Sequence, residues 1–286
     1  MAKKTAVIVC SNAGLDYLDY PKDIRIFRSV IHFPNDDNVY EDYVGMTAEA
    51  FYDRIAKKPD DVPKTSYVSV GTMIETFEEL EKEGYEAALV ITISAQLSGL
   101  FEAVRRTAAS GDVSLEVTVF DSKTLAYAEA FMALEAHRMF SEGKSMEDVI
   151  DRLSLIRDNN KVYFAVDTLL YLVKNGRLSK FSGAAGTFLK LKPLLTIDDA
   201  GKVQSIEKIR TTPRARQRVL ETYFNETEGM DVITYIAHAH AGDVAKQFKA
   251  KILEVYPDRR VETVFLTPVV GAHTGPKAIG VGYIKA

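Results

Sequence analysis

Three short segments of this 286-residue chain carry side chains that together can grip a small anion. They are Lys64-Thr-Ser-Tyr-Val-Ser69, Ile93-Ser-Ala-Gln-Leu-Ser-Gly99 and Gly271-Ala-His-Thr-Gly-Pro-Lys-Ala-Ile-Gly280. In the third, His273 stands beside the Thr274 hydroxyl in a turn held open by Gly275 and Pro276, an arrangement that presents polar groups to a ligand. Thr65, Ser66 and Ser69 fall in a loop before a helix, and Ser94 and Ser98 fall between a strand and the next helix. Each serine is also a good helix N-cap, Ser69 and Ser98 above all, so each taken singly is ordinary. Two such loops at strand ends bring hydroxyl donors and helix N-termini to one place, which suits an anion held without a metal. His273 completes the set as a further hydrogen-bond donor.

Other chemistries lack their signatures. No Gly-x-x-x-x-Gly-Lys-Ser/Thr phosphate loop and no Gly-x-Ser-x-Gly nucleophile turn occurs, and Gly183-Ala-Ala-Gly186 lacks the dinucleotide pattern. His238 and His240 stand two apart at a strand end without a cysteine or carboxylate cluster, so they read as a solvated or packed strand end rather than a metal site. A net charge of −4 argues against a dedicated nucleic-acid binder. Cys10 is the only cysteine, which rules out an intrachain disulfide and fits a reducing, cytoplasmic compartment. No apolar run reaches the ~20 residues that cross a bilayer, so no stable membrane insertion is expected.

The elements that must position these residues follow an α/β order. Thr5–Cys10, Ile24–Phe33, Ala87–Ile93 and Leu115–Phe120 read as strands. Helices are expected after Thr47, at a Thr72/Glu75 capping box, after Ser98, over Lys123–Phe140 and from Ser145 to Asn159. Alternating strands and helices predict a mostly parallel sheet with ligands at the strands' C-terminal ends. Past Asn160 the pattern changes to strands with fewer helices: Val162–Val166, Pro193–Ile197, Val203–Ile209, Val232–Ala237, Val261–Leu266 and Ile279–Ile284. Asp198-Asp-Ala-Gly-Lys202 forms a hairpin turn, and helices start at Pro213 and Gly242. The expectation is an N-terminal α/β domain over 1–160 and a C-terminal α+β domain with a mixed sheet over 161–286.

The three segments and several others occur in an order that resembles the DegV family over nearly the whole chain. The matching pieces are Cys10-Ser11-Asn12, Phe51-Tyr52, Pro63-Lys-Thr-Ser66 with Ser69, Ile93-Ser94 with Leu97-Ser98-Gly99, and Asp121-Ser122-Lys123. They continue with Asp167-Thr168, Tyr171-Leu172, Asn175-Gly-Arg177, Lys192-Pro193 and Gly271-Ala-His-Thr-Gly-Pro276. The chain departs from the family pattern at Ser11-Asn12, where Asp-Ser is usual, and at Tyr67-Val68, where Gln-Pro is usual. Ala95 replaces a second serine, and Asn175 and Lys277 stand where glycines are common.

The resemblance implies a two-domain fold holding one long-chain fatty acid between the domains. It further implies a protein that presents the acyl carboxyl to a separate ATP-dependent fatty acid kinase, is not catalytic alone and needs no other cofactor. The carboxyl would meet Thr65 and one of Ser94 or Ser98, with His273 and Thr274 close by; Ser94 is favoured because Ser98 has a competing capping role. Tyr67 and Lys277 are placed near the carboxyl end and Arg177 near the domain junction. Phe164, Leu169, Leu170, Phe181, Phe188 and Leu189 are candidate tunnel residues or plain core. Arg210 falls on the surface the resemblance assigns to the kinase. With Arg214, Arg216 and Arg218 it makes either a solvated face or a docking patch. Two other readings stay open: an enzyme using His273 on a small carbonyl substrate, and a lipid-sensing regulator.

Overall fold

The computed structural model describes residues 3–178 and 191–285. Strands β1 (Thr5–Cys10), β2 (Arg25–Phe27), β6 (Ala87–Thr92) and β7 (Glu116–Asp121) form a parallel sheet in the order β2-β1-β6-β7. The two central strands are almost wholly buried, as expected of apolar runs covered on both faces. On one face α2 (Val70–Lys82) and α3 (Leu100–Ala108) pack over Ile8, Ala88 and Val90. On the other, α4 (Tyr127–Ser141) and α5 (Met146–Asp158) bury Met132, Leu153 and Ile156 with Val7, Val9, Leu89 and Ile91. Ser145 and Asp148 close a full capping box at the start of α5.

Three local expectations change. The single strand expected over Ile24–Phe33 is split: β2 joins the parallel sheet, while β3 (Val30–His32) belongs to a separate antiparallel sheet with β4 (Val39–Glu41) and β5 (Lys64–Ser66). The break falls where Arg28 turns to grip Asp16 at 2.7 and 2.9 Å and the Ser29 amide donates to Ser11 Oγ at 3.2 Å. Side-chain bonds there replace the ladder. Helix α2 starts at Val70, capped by Ser69 accepting from the Thr72 amide at 3.1 Å, so Thr72 lies in the first turn and opens no capping box. Lys64–Ser66, expected as loop, is a strand because β3 supplies its partner.

From Asn160 onward the described strands make one mixed sheet, in the order β10-β9-β8-β13-β11-β12. These are β8 (Asn160–Ala165), β9 (Leu194–Ile197), β10 (Val203–Glu207), β11 (Val232–His238), β12 (Val261–Phe265) and β13 (Ile279–Lys285). Only β11 and β12 run parallel. A short α6 (Leu170–Lys174) follows β8. One sheet face packs Tyr163, Ile236 and Val281 against α7 (Thr212–Thr227) and α8 (Gly242–Val255) through Val219, Tyr223, Phe248 and Ile252. The opposite face, carrying Val162, Tyr235 and Ala237, joins the core shared with β1, β6 and α4. The hairpin at 198–202 is tied by Asp198, whose carboxylate accepts from the amides of Ala200 and Lys202 at 3.1 and 2.9 Å.

The fourth difference bears on the site. His273 and Thr274 are not on an open turn but in the last turn of α9 (Pro268–Thr274), entered through Pro268 and ended by Gly275 at φ +72°. α1 (Ala48–Lys57), capped by Thr47 as expected, packs against it. A Cβ on Gly271 would lie 2.6–2.8 Å from Phe51 and Tyr52, so a glycine is what lets the two helices touch. The Tyr52 hydroxyl donates to Leu266 O at 2.8 Å just before that helix.

Candidate ligand-binding site

A cavity of about 480 Å³ lies where the inward face of the mixed sheet meets the loops after β1, β5 and β6. That is within the usual size range of small-molecule sites. Val162, Phe164, Ile197, Val203, Ala237 and Leu125 make its greasy wall, and Thr65, Ser98, Arg177 and His273 contribute polar groups.

Two elements bring the polar pair together. The β3–β5 pairing sets Thr65 opposite Ile31, and the last turn of α9 delivers His273, so that Thr65 Oγ1 and His273 Nε2 are 2.9 Å apart. Burial, helped by the positive charge of Arg177, pushes the imidazole pKa down to about 3, so His273 is neutral across the physiological range. Its Nδ1 is buried without a hydrogen-bond partner. An orphaned buried N–H is rarer than an orphaned acceptor, which favours the tautomer protonated at Nε2. In that tautomer His273 donates to Thr65, and the Thr65 hydroxyl proton is free to serve a ligand oxygen.

Arg177 lines the cavity half-buried, and burial lowers its pKa. Its Nε donates to Leu97 O at 3.0 Å and its Nη1 to Asn175 O at 2.6 Å. Asn175, noted above only as a departure from a common glycine, is the staple of the site. Its amide donates to Pro63 O at 3.0 Å and to Ala272 O at 2.8 Å, bridging the residues that precede Thr65 and His273. Asn175→Ala is expected to remove both bonds and cost about 1–3 kcal/mol of stability, measured by urea denaturation. An unchanged midpoint would show that the bridge contributes nothing.

The other expected residues divide. Tyr67, Ser98 and Thr274 line the cavity. Ser98 does so while its Oγ accepts from the Leu100 amide at 3.2 Å, and the Thr274 hydroxyl donates to Val270 O at 3.2 Å. Ser94 does not line it: fully buried, it donates to Gly201 O at 2.8 Å and accepts from the Gln96 amide at 3.2 Å. The 198–202 hairpin claims the Ser94 hydroxyl, so of the two serines Ser98 is the one that lines the cavity. Lys277 is exposed, lies outside the lining, and its backbone amide donates to Ala239 O at 2.7 Å. Of the apolar candidates Phe164 lines the cavity, Leu169 and Leu170 pack in or against the core, and Phe181, Phe188 and Leu189 lie outside the described residues. Arg210 is exposed just before α7. His238 is buried with Nδ1 accepting from the Ala241 amide at 3.4 Å, and no group of three or more metal-binding side chains occurs among the described residues.

Sequence reasoning missed a buried carboxyl beside the cavity. Glu129, in the first turn of α4, has no exposed surface and accepts from Cys10 Sγ at 3.1 Å and from the Asn12 side-chain amide; Asn12 in turn lines the cavity. Burial drives the Glu129 pKa up to about 8, with Cys10 and Asn12 pulling against it. The available signal was one acid inside the apolar run Tyr127-Ala-Glu-Ala-Phe-Met132. Nearby Asp42, also buried, is pushed up to about 6 for the same reason.

A parallel sheet and a mixed sheet, with a small antiparallel sheet that carries Thr65, enclose an apolar cavity with the Thr65–His273 pair on its wall and define an α/β protein built around an internal site. Residues 4–286 match the family model described as uncharacterised protein, DegV family, and the chain belongs to that family. A DegV domain-containing protein of Clostridium acetobutylicum is 30% identical over 283 residues, covering 97% of this chain and 98% of the relative. The crystal structure of DegV from Bacillus subtilis, described as a fatty acid binding protein, superposes with a TM-score of 0.87 at 28% identity over the full length of both chains. A fatty acid binding DegV family protein from Streptococcus agalactiae gives 0.88 at 26%, again over both full lengths.

Proposed function

We propose that this protein binds one long-chain fatty acid in the cavity, between domains spanning 1–160 and 161–286, and presents its carboxyl group to a separate ATP-dependent kinase. The observation that carries the reading is the Thr65–His273 pair on the wall of an otherwise greasy cavity. The fatty-acid-binding descriptions of the two similar structures support it. Burying an acyl chain gains about 0.8 kcal/mol per methylene, which an apolar wall supplies. A buried carboxylate costs several kcal/mol unless hydrogen-bonded, and the Thr65 and Ser98 hydroxyls offer neutral donors, with His273 holding the Thr65 hydroxyl and Thr274, Tyr67 and Arg177 around them.

In this reading the chain is a carrier and not a catalyst, acts in the cytoplasm, and leaves the nucleotide chemistry to the partner kinase. No helix among the described residues is long and apolar enough to cross a membrane. Arg214 and Arg218 are already paired with Glu221 and Glu207 and Arg216 is partly buried, while Arg210, the residue that the family resemblance assigns to kinase docking, is exposed. Arg210→Ala is expected to leave lipid binding intact and to slow kinase-dependent acyl-phosphate formation roughly tenfold, the loss of about 1.4 kcal/mol of docking energy. Unchanged turnover removes Arg210 from the interface.

The direct test is the native mass of freshly purified protein, with any released molecule identified by mass spectrometry. One fatty acid per chain supports the reading. Protein that stays empty after incubation with a panel of fatty acids overturns it.

A further inference from the structure

Resting on that fatty-acid reading, we propose that one cross-strand row of the mixed sheet is the stop that limits how long an acyl chain the cavity accepts. Tyr235 lies opposite Gly282 in the β11–β13 pair, Gly282 opposite Val162 in β13–β8, and Ile197 opposite Val203 in β10–β9. The β8–β9 pairing of Tyr163 with Thr196 carries the row from Val162 to Ile197. Every member except the glycine lines the cavity.

The glycine explains how the row closes. A Cβ on Gly282 would stand 2.1 Å from Cζ and 2.4 Å from the hydroxyl of Tyr235, so the ring lies across β13 where any side chain would block it. Tyr235 is 1% exposed and backed by the Tyr127 ring at a centroid distance of 5.4 Å, so the bar cannot swing aside cheaply. Along β8 and β13 this row is three residues, or about 10 Å, from the Ala165–Ile279 pair. Ile279 itself follows closely on the turn of α9 that bears His273.

Beyond the row the surroundings change. Val162 and Ile197 also border a second cavity, of about 440 Å³, whose other walls include Lys123, Arg157, Lys161, Asp158 and Asp199. Arg157 pairs with Asp158 at 2.9 Å, and Lys161 pairs with Asp199. The partition is thus a single layer of side chains between a greasy space and a charged one. A methylene driven past it leaves apolar contact without gaining any, and disturbs solvated ion pairs.

The experiment measures Kd for a homologous series of saturated fatty acids by displacement of a fluorescent fatty acid, on the full chain and on Val162→Ala and Val203→Phe. For the unaltered protein, affinity should climb about fourfold per methylene, the transfer free energy of one methylene as a ratio, and then break at a limiting length. Val162→Ala should move the break up by about one or two carbons, and Val203→Phe should move it down by a similar amount. Thermal unfolding checks that each variant is folded, and Ile197→Val is the milder substitute should Val162→Ala fail to fold. A break that stays put in the folded variants overturns the proposal. Absence of binding at every length in the unaltered protein overturns the fatty-acid reading instead.

Discussion

Thr65→Val should weaken binding of a long-chain fatty acid by roughly thirtyfold, about 2 kcal/mol, while leaving the fold intact. Hydrogen bonds to charged groups are worth about 1.5–3 kcal/mol net, more than those between neutral groups, and valine keeps the volume of threonine without its donor. The strand position of Thr65, opposite Ile31, tolerates a β-branched replacement, but the buried His273 Nε2–H loses its acceptor, so a stability loss of about 1–3 kcal/mol should accompany the loss of affinity. His273→Ala should produce a loss of similar size by a different route. The alanine removes the partner 2.9 Å from the Thr65 hydroxyl and leaves that hydroxyl free to turn elsewhere. Because the two residues act through one bond, the double variant should lose less than the sum of the singles. The measurement is a double-mutant cycle on fatty-acid Kd. Full affinity in Thr65→Val, or strict additivity across the cycle, contradicts the arrangement described.

The second large effect concerns stability rather than binding. Glu129 is fully buried, and burial raises its pKa from 4.5 to about 8. Between those values the unfolded chain has already lost a proton that the folded chain keeps, so stability falls as pH rises through this window and levels off above it. The cumulative loss at about pH 8 is on the order of 4 kcal/mol, a large part of a typical domain's margin. Asp42, raised from 3.8 to about 6, adds a slope of the same sign over a lower window. His273, lowered from 6.5 to about 3, works the opposite way: stability drains as pH falls below 6.5, where the unfolded imidazole takes up a proton that the folded one refuses. Glu129→Gln keeps an acceptor for Asn12, gives Cys10 a neutral partner and removes the charge. Urea denaturation at a series of pH values from about 5 to about 9 should show the variant overtaking the parent as pH rises. Parallel curves would mean that Glu129 ionises in the folded state as easily as in the unfolded one.

Glu129 also shows where sequence reasoning ended. A carboxyl inside an apolar helical stretch is visible in the sequence, but its neighbours Cys10 and Asn12 are more than a hundred positions away. Nothing local states that the first turn of α4 will face the end of β1. The same holds for Asn175. As a residue it announced only a departure from glycine; as a bridge between Pro63 O and Ala272 O it fixes the site. The split of the strand expected over Ile24–Phe33 has the same origin, since Arg28 leaves the ladder for Asp16.

What the chain determined by itself is what depends on near neighbours. The buried parallel strands, Thr47, Ser69 and Ser145 as caps, the Asp198–Lys202 hairpin and the helix Gly242–Val255 all follow from residues within a few positions of each other. The ordered set of short motifs was equally legible, and with it the family. Only the tertiary structure decided which hydroxyls face the cavity. Ser94 and Ser98 are alike in sequence, four positions apart after the same strand, but the 198–202 hairpin arrives from the other half of the chain and captures Ser94. It likewise exposed Lys277, turned the segment before Gly275 into a helix end, and laid Tyr235 across Gly282. The physical reason is common to all of these. Local preference fixes the conformation of a segment, whereas the direction a side chain finally takes is set by whichever distant group offers it a hydrogen bond or a place to pack.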